Sequence, residues 1–494
     1  MKALLSYLRD SATRGLAVTV AGAVALYLIA GVGFANYDTL YALAWGGQLT
    51  QGETPAYGVP IAPTPHPLLE LLGVVLRPFS PHEEIRLTVG LGFIALAACG
   101  WLLFRLGQAW FGWAAGAVAA IVFLTRVPVV SYGVRAYLDV PYLAFVLGAL
   151  LVEGRRPRAG RPVLALLALA GLLRPEAWVL SGLYWLYMLD LLPAGLLARL
   201  PGRPRGVPSP RERGELAWLT ALAAAGPVLW LGSDLLITGN PLWSLTNTRH
   251  TASTLDRKTG IANVPEYVPR RIGEVMGVAG LAGAGLGGVA ALSWLRAKAL
   301  TGAAAGVLAV AIFVVFACVG LPINTRYAFL AAAILCIFCG AGAFGWMALP
   351  AGDARRRPWM ALGALIVVGL LASAPSQYHT IHRQLGELAK QERIEGDLEA
   401  LVDAKAVNLR CGPVGVPNHA PIPLLALYLR TSPANIVSAQ VGHIDSGVYV
   451  DPASKEVEEA YILDNNDPHE PVSVPPGFRE VATNRSWLVF HSCE

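Results

Sequence analysis

The chain has 494 residues, 55% of them hydrophobic and only 14% charged, with a net charge of +5. A soluble domain carries about 25% charged residues, so this composition excludes a protein that lives wholly in water and points to one that crosses a membrane many times. The basic excess gathers in short connections between apolar runs, as membrane flanks do, which argues against a nucleic-acid partner.

The first apolar run, about 15–34, stands behind Lys2, Arg9 and Arg14 and reads as an uncleaved signal anchor. Ten further runs follow, at about 86–104, 110–126, 139–153, 162–173, 177–192, 216–237, 275–294, 301–321, 327–348 and 359–374. The expected fold class is therefore mainly α, a polytopic membrane protein of about eleven transmembrane helices. A cytoplasmic N-terminus puts eighteen Lys and Arg into the cytoplasmic segments, including "GRRPRAGRP" and "DARRRPW", against eleven in the opposite loops. The positive-inside rule then fixes the orientation. An odd number of spans puts the remainder of the chain outside the cytoplasm. The cytoplasmic "LPGRPRGVPSPRERG", 200–214, reads as a basic linker lying on anionic lipid.

Two outside loops are long, 35–85 and 238–274, and loops of that length usually have a function. The first reads as an interfacial helix, with Tyr37, Tyr41 and Trp45 about one turn apart. "TPAYGVPIAPTPHPL" then forbids regular helix until about Leu68. The tail, 375–494, changes character. Short strands such as "SGVYVDP", "AYILD", "GFREVATN" and "RSWLVFHSC" alternate with helix, giving a small extracytoplasmic α/β domain beside a membrane domain of 1–374. Cys411 closes an early strand and Cys493 the last one. Outside the cytoplasm the two are free to form a disulfide.

Four polar clusters mark the outside ends of spans: Asp38, "SYGVRAYLDVPY" (131–142), "LLRPEAW" (172–178) and "LPINTRYAF" (321–329). They carry the carboxylates Asp38, Asp139 and Glu176 and the guanidinium groups Arg135, Arg174 and Arg326. Ionisable groups at the edge of a membrane bundle are functional candidates. Helix capping accounts for some of them singly: Asp139 could cap the fourth span, and Arg174 could complement the C-terminus of the fifth. It does not account for arginines joining acids on the face opposite the positive flanks.

In order and spacing, these motifs resemble the GT-C class of membrane glycosyltransferases. That class includes protein O-mannosyltransferases, bacterial aminoarabinose transferases and actinobacterial arabinosyltransferases. The resemblance rests on an acid shortly after span 1 followed by Tyr41, Ala44, Leu49, Gly52, Pro55 and Tyr57, on "PTPHPL", "RAYLDVP" and "RPE", and on Arg326-Tyr327. It covers about 15–350. His66 stands where relatives often have a lysine, and Asp38 is single where some have an acidic pair.

The resemblance implies transfer of a hexosyl or pentosyl group from a polyprenyl-phosphoryl sugar to a hydroxyl on a glycan, lipoglycan or protein, with inversion, at the outer face of the cell membrane. Asp38 would be the general base. Arg326, Arg174, Arg135 and His66 would receive the donor phosphate. Asp139, Glu176, Tyr41, Tyr137 and Tyr327 would hold sugar or acceptor, or orient the arginines. No metal site or cofactor is assigned. The competing readings are a transporter or flippase of lipid-linked glycans, and a lipid-glycan polymerase or ligase. A transporter would call for midplane charges and internal repeats; the spans have few such charges, and the halves show no obvious symmetry.

Overall fold

A computed structural model describes residues 2–191, 213–463, 467 and 469–493. Arg199, Arg203, Arg205 and Arg211, and all but the last two residues of the basic segment 200–214, lie outside the described residues.

Each of the eleven predicted spans falls on a helix. Among the described residues, seven helices are long and apolar enough to cross a membrane, including α1 (Lys2–Ala30), α4 (Pro81–Phe111), α10 (Arg213–Thr238), α12 (Val264–Trp294) and α13 (Arg296–Cys318). The other two are built on α14 (Phe329–Phe344) and α15 (Arg356–Asp403). An eighth crossing can be assembled from α5 (Trp113–Leu124) and α6 (Val127–Val134), which bend by 67° where Pro128 opens the second piece. Predicted spans four to six become shorter helices: α7 (Asp139–Arg155), α8 (Arg161–Gly171) and α9 (Glu176–Met188). Their outer ends unwind into the turns that hold Tyr137, Arg174 and Pro175. The fold is a polytopic helical membrane protein with a small C-terminal sheet.

The first long loop, 35–85, differs from expectation. Asn36 caps α2 (Tyr37–Thr50), its side chain accepting from the amides of Asp38 and Thr39. Thr39 to Gln48 are all buried, with Tyr41 and Trp45 at 0% exposure. One face of α2 crosses α3 (Pro67–Leu76); another packs on tail helix α16 (Ile422–Tyr428). The aromatics therefore form a core rather than an interfacial anchor. They stack edge to face through Tyr37, Tyr41, Trp45 and Tyr57, and share one hydrophobic cluster with Ile394, Leu424 and Trp487 of the tail.

The tail begins on the extension of α15, a single 48-residue helix. Its sheet runs β2–β1–β3–β5–β4, with β1 (Val414–Val416), β2 (Ile436–Ser438), β3 (Gly447–Pro452), β4 (Arg479–Thr483) and β5 (Trp487–Ser492). The β1 pairings with β2 and β3 are parallel and those of β5 are antiparallel. "AYILD", expected as a strand, mostly lies in a helical turn that ends at Ile462. Its Ala460 carbonyl accepts from Gln391 of α15 instead of a neighbouring strand. The Cys411 and Cys493 sulfurs are bonded, tying the turn before β1 to the end of β5.

Candidate active site

Backbone clips bring the separated motifs together. The connection after α1 is pinned to the turn after α6: the amides of Phe34 and Asn36 donate to the carbonyls of Val134 and Arg135, and the Thr39 hydroxyl donates to the Ala136 carbonyl at 2.9 Å. Ala136 holds a φ of +50°, a left-handed turn that non-glycine residues seldom adopt. That turn lets Arg135 and Tyr137, on either side of it, both face the space beside Asp38. The two long loops, 35–85 and 238–274, are joined by a 2.5 Å hydrogen bond between the Thr64 and Thr248 hydroxyls.

These segments enclose a cavity of about 920 Å³. Its lining includes Tyr37, Asp38, His66, Arg135, Tyr137, Arg174, Glu176, Arg326 and Tyr327. Trp230, Asp234, Ser244 and Arg257 from and beside α10 and α11 (Trp243–Thr254) complete the far wall. Val315 of α13 and Val319 just past its end also line it, and their exposure at 53% and 41% makes that wall continuous with the exposed apolar surface of that span. Gln391, His419 and Tyr461 reach in from the tail.

Five charged residues form an alternating row. Arg326 Nη1 donates to Asp38 Oδ2 at 2.7 Å and lies 3.9 Å from Asp139 Oδ2. Arg174 pairs with Asp139 Oδ1 and donates from Nε and Nη2 to Glu176 at 2.6–3.2 Å. Side-chain exposure divides the row: Asp38 and Arg326 keep 16% and 18%, whereas Asp139 and Arg174 keep 2% and 7%. The first pair thus fronts the cavity and the second backs it. Tyr327 lies under both guanidinium groups, at 4.2 Å from Arg174 and 5.6 Å from Arg326.

Burial pushes the Asp38 carboxyl up, but the Arg326 guanidinium outweighs it and holds the group below the usual carboxylate range, with a smaller pull from Arg257. Asp38 is therefore an ionised carboxylate at neutral pH. His66 is different. Burial lowers its imidazole to about 3, with Asp38 opposing the shift. A neutral ring, edge-on to Trp230 at 5.4 Å, can offer an N–H but no charge.

Among the predicted residues, Asp38, Arg135, Asp139, Arg174, Glu176, Arg326, Tyr137, Tyr327 and His66 converge here. Arg135 bonds its own helix at Ser131 and rests on the rings of Tyr132 and Tyr137, and it makes no ion pair among the described residues. Tyr41 does not line the cavity; its neighbour one turn earlier, Tyr37, does, bonding the Ile61 carbonyl. The sequence reading missed Arg257, a half-buried guanidinium with no ion pair among the described residues. It also missed Asp234, buried and bonded by the Ser244 amide and hydroxyl at 2.8 Å. Metal-ligating atoms converge, among the described residues, at Cys411, His491 and Cys493, where both sulfurs are spent on the disulfide.

The whole-chain architecture has solved counterparts. The chain superposes on the crystal structure of ArnT from Cupriavidus metallidurans bound to undecaprenyl phosphate, at 15% identity and a TM-score of 0.54. The match covers 97% of this chain and 98% of that one. ArnT in the apo state matches over the same shares, at 16% identity and 0.53. The sequence matches no protein-family model and no curated protein. At this identity the likeness shows the fold: the chain has the ArnT-like architecture of a multi-pass helical membrane protein.

Proposed function

We propose that the protein transfers a sugar from a polyprenyl-phosphate donor to a hydroxyl acceptor, with inversion, at the outer face of the cell membrane. The observation that carries this reading is a partly exposed, ionised Asp38 in a cavity that joins guanidinium groups, without ion pairs among the described residues, to an apolar wall continuous with the exposed surface of its span. The ArnT-like architecture supports it, as does the undecaprenyl phosphate bound to the similar ArnT.

The lipid tail leaves along Val315 and Val319, and the phosphate lies against Arg257 and Arg135, neither of which makes an ion pair among the described residues. Arg326 and Arg174 also face the cavity, but their charge is committed to Asp38, Asp139 and Glu176. The acceptor enters beneath the tail domain, past Tyr37, His419 and Tyr461. Asp38 takes the acceptor hydroxyl proton as that oxygen bonds the anomeric carbon. The bond from the anomeric carbon to the phosphate oxygen breaks, and the departing polyprenyl phosphate keeps the electron pair beside the preorganised cations. One displacement inverts the anomeric centre.

The test is turnover by the purified protein of a polyprenyl-phosphoryl sugar with an alcohol acceptor, followed by NMR of the product anomer. Release of polyprenyl phosphate with an inverted product supports the reading. Solute exchange across vesicles with no donor cleavage would favour a transporter instead.

A further inference from the structure

A general base clamped by arginine is a poor proton acceptor, so something must loosen the Asp38–Arg326 pair when substrates are bound. Arg326 Nη1 sits between two carboxylates, 2.7 Å from Asp38 Oδ2 and 3.9 Å from Asp139 Oδ2. Asp139 Oδ1 is taken by Arg174, but Asp139 Oδ2 is buried and has no hydrogen-bond partner, and Arg326 Nε has none either. A buried carboxylate oxygen left unpaired is costly. A shift of about 1 Å would bring Nη1 within hydrogen-bond range of it. A small void of about 20 Å³ lies beside Arg174, Glu176, Arg326 and Tyr327. The rings of Tyr137 and Tyr327 flank its path at 5.9 and 5.6 Å.

We infer that Asp139 is a positioning residue that receives Arg326 from Asp38, so that the guanidinium exchanges one carboxylate for the other and releases Asp38 to accept the proton. This rests on the reading of Asp38 as the base. Proton transfer itself is unchanged: it runs from the acceptor hydroxyl to Asp38, and Arg326 and Asp139 gain and lose no proton. The charged and titratable groups facing Asp38 are Tyr37 on its own helix, His66, Arg326 and Arg257. Those facing Asp139 are Arg174, Arg326, Tyr132 and Tyr142.

The test is the pH dependence of kcat for Asp139→Asn, with donor KM and the melting temperature recorded beside it. Asparagine keeps an oxygen for Arg174 and removes the charge that attracts Arg326. The expected result is a kcat lower by about 10- to 100-fold, less than the loss of the base itself, with donor KM little changed and the acid limb moved to lower pH. Asp139→Glu, which keeps the charge, should recover most of the rate. Glu176→Gln, which loosens Arg174 without touching Arg326, should leave the acid limb in place. An unaltered kcat and acid limb in Asp139→Asn overturns the inference, as does a Glu176→Gln profile that matches it. Should Asp139→Asn not fold, Arg326→Gln reads the clamp directly: its acid limb must move up, and an unmoved limb overturns the inference. Transfer that survives Asp38→Asn would instead overturn the base assignment on which this rests.

Discussion

At the residue scale, the site separates groups that face substrate from groups that hold them. Arg174 is buried between Asp139 and Glu176. Arg174→Gln removes the main charge partner of buried Asp139 and Glu176, and breaking such a buried pair costs about 3–5 kcal/mol. We expect a clear fall in the thermal unfolding midpoint in detergent; an unchanged midpoint would mean the network is not structural. Arg257 makes the opposite prediction. With no acid to release, Arg257→Gln should leave the unfolding midpoint alone and raise donor KM by about tenfold or more, the worth of one charge-assisted hydrogen bond. Equal KM values in variant and parent would remove Arg257 from the phosphate site. The acids and arginines at span ends were legible in the sequence because charge at a membrane edge is costly and so informative. Arg257 was not, because a basic residue on a long polar loop looks like any solvated charge until the loop folds back over the cavity.

At the element scale, α2 and α3 set the floor. They cross so closely that a Cβ on Gly46 would lie 2.5 Å from the Glu70 carbonyl oxygen, and one on Gly73 would lie 2.9 Å from Leu43 Cα. These atoms are backbone and cannot turn aside, so Gly46→Ala must push the helices apart. Overpacking of this kind costs about 1–3 kcal/mol and would also tilt Asp38, in the first turn of α2. A Gly46→Ala protein with normal melting and normal turnover would contradict the crossing.

The same floor holds Glu70, which Tyr57 bonds at 2.6 Å. Burial raises the Glu70 carboxyl to about 7. The folded state thus keeps a proton that the unfolded chain loses near 4.5. The stability this confers is complete below about 4.5 and is lost as pH rises to about 7. Melting curves across that window should show the fall in the parent and a flatter profile in Glu70→Gln; parallel profiles would refute the assignment. The proline-rich passage and the start of α3 could be read from proline chemistry alone. The burial of α2 could not, because its periodicity suits an interfacial helix equally well, and the surface covering Tyr41 and Trp45 comes from Leu424 and its neighbours, nearly 400 residues away.

At the scale of the whole molecule, the tail domain closes the cavity that the membrane helices leave open. Helix α15 carries it there without a break, and the Trp487 indole donates to the Ile394 carbonyl on that helix at 2.8 Å. The fold class, the spans and the sheet-bearing tail were visible in composition and hydropathy. The docking of tail on first loop was hidden, since it is made by long-range packing that no local pattern encodes.

The central claim is that Asp38 accepts the proton in a transfer from a lipid-linked donor. It is tested most directly by comparing Asp38→Asn with the parent in single-turnover transfer from a polyprenyl-phosphoryl sugar at neutral pH. We predict loss of about 10²- to 10⁴-fold in rate, with donor binding retained through Arg257 and Arg135. An Asp38→Asn protein that transfers sugar at the parental rate would contradict the account.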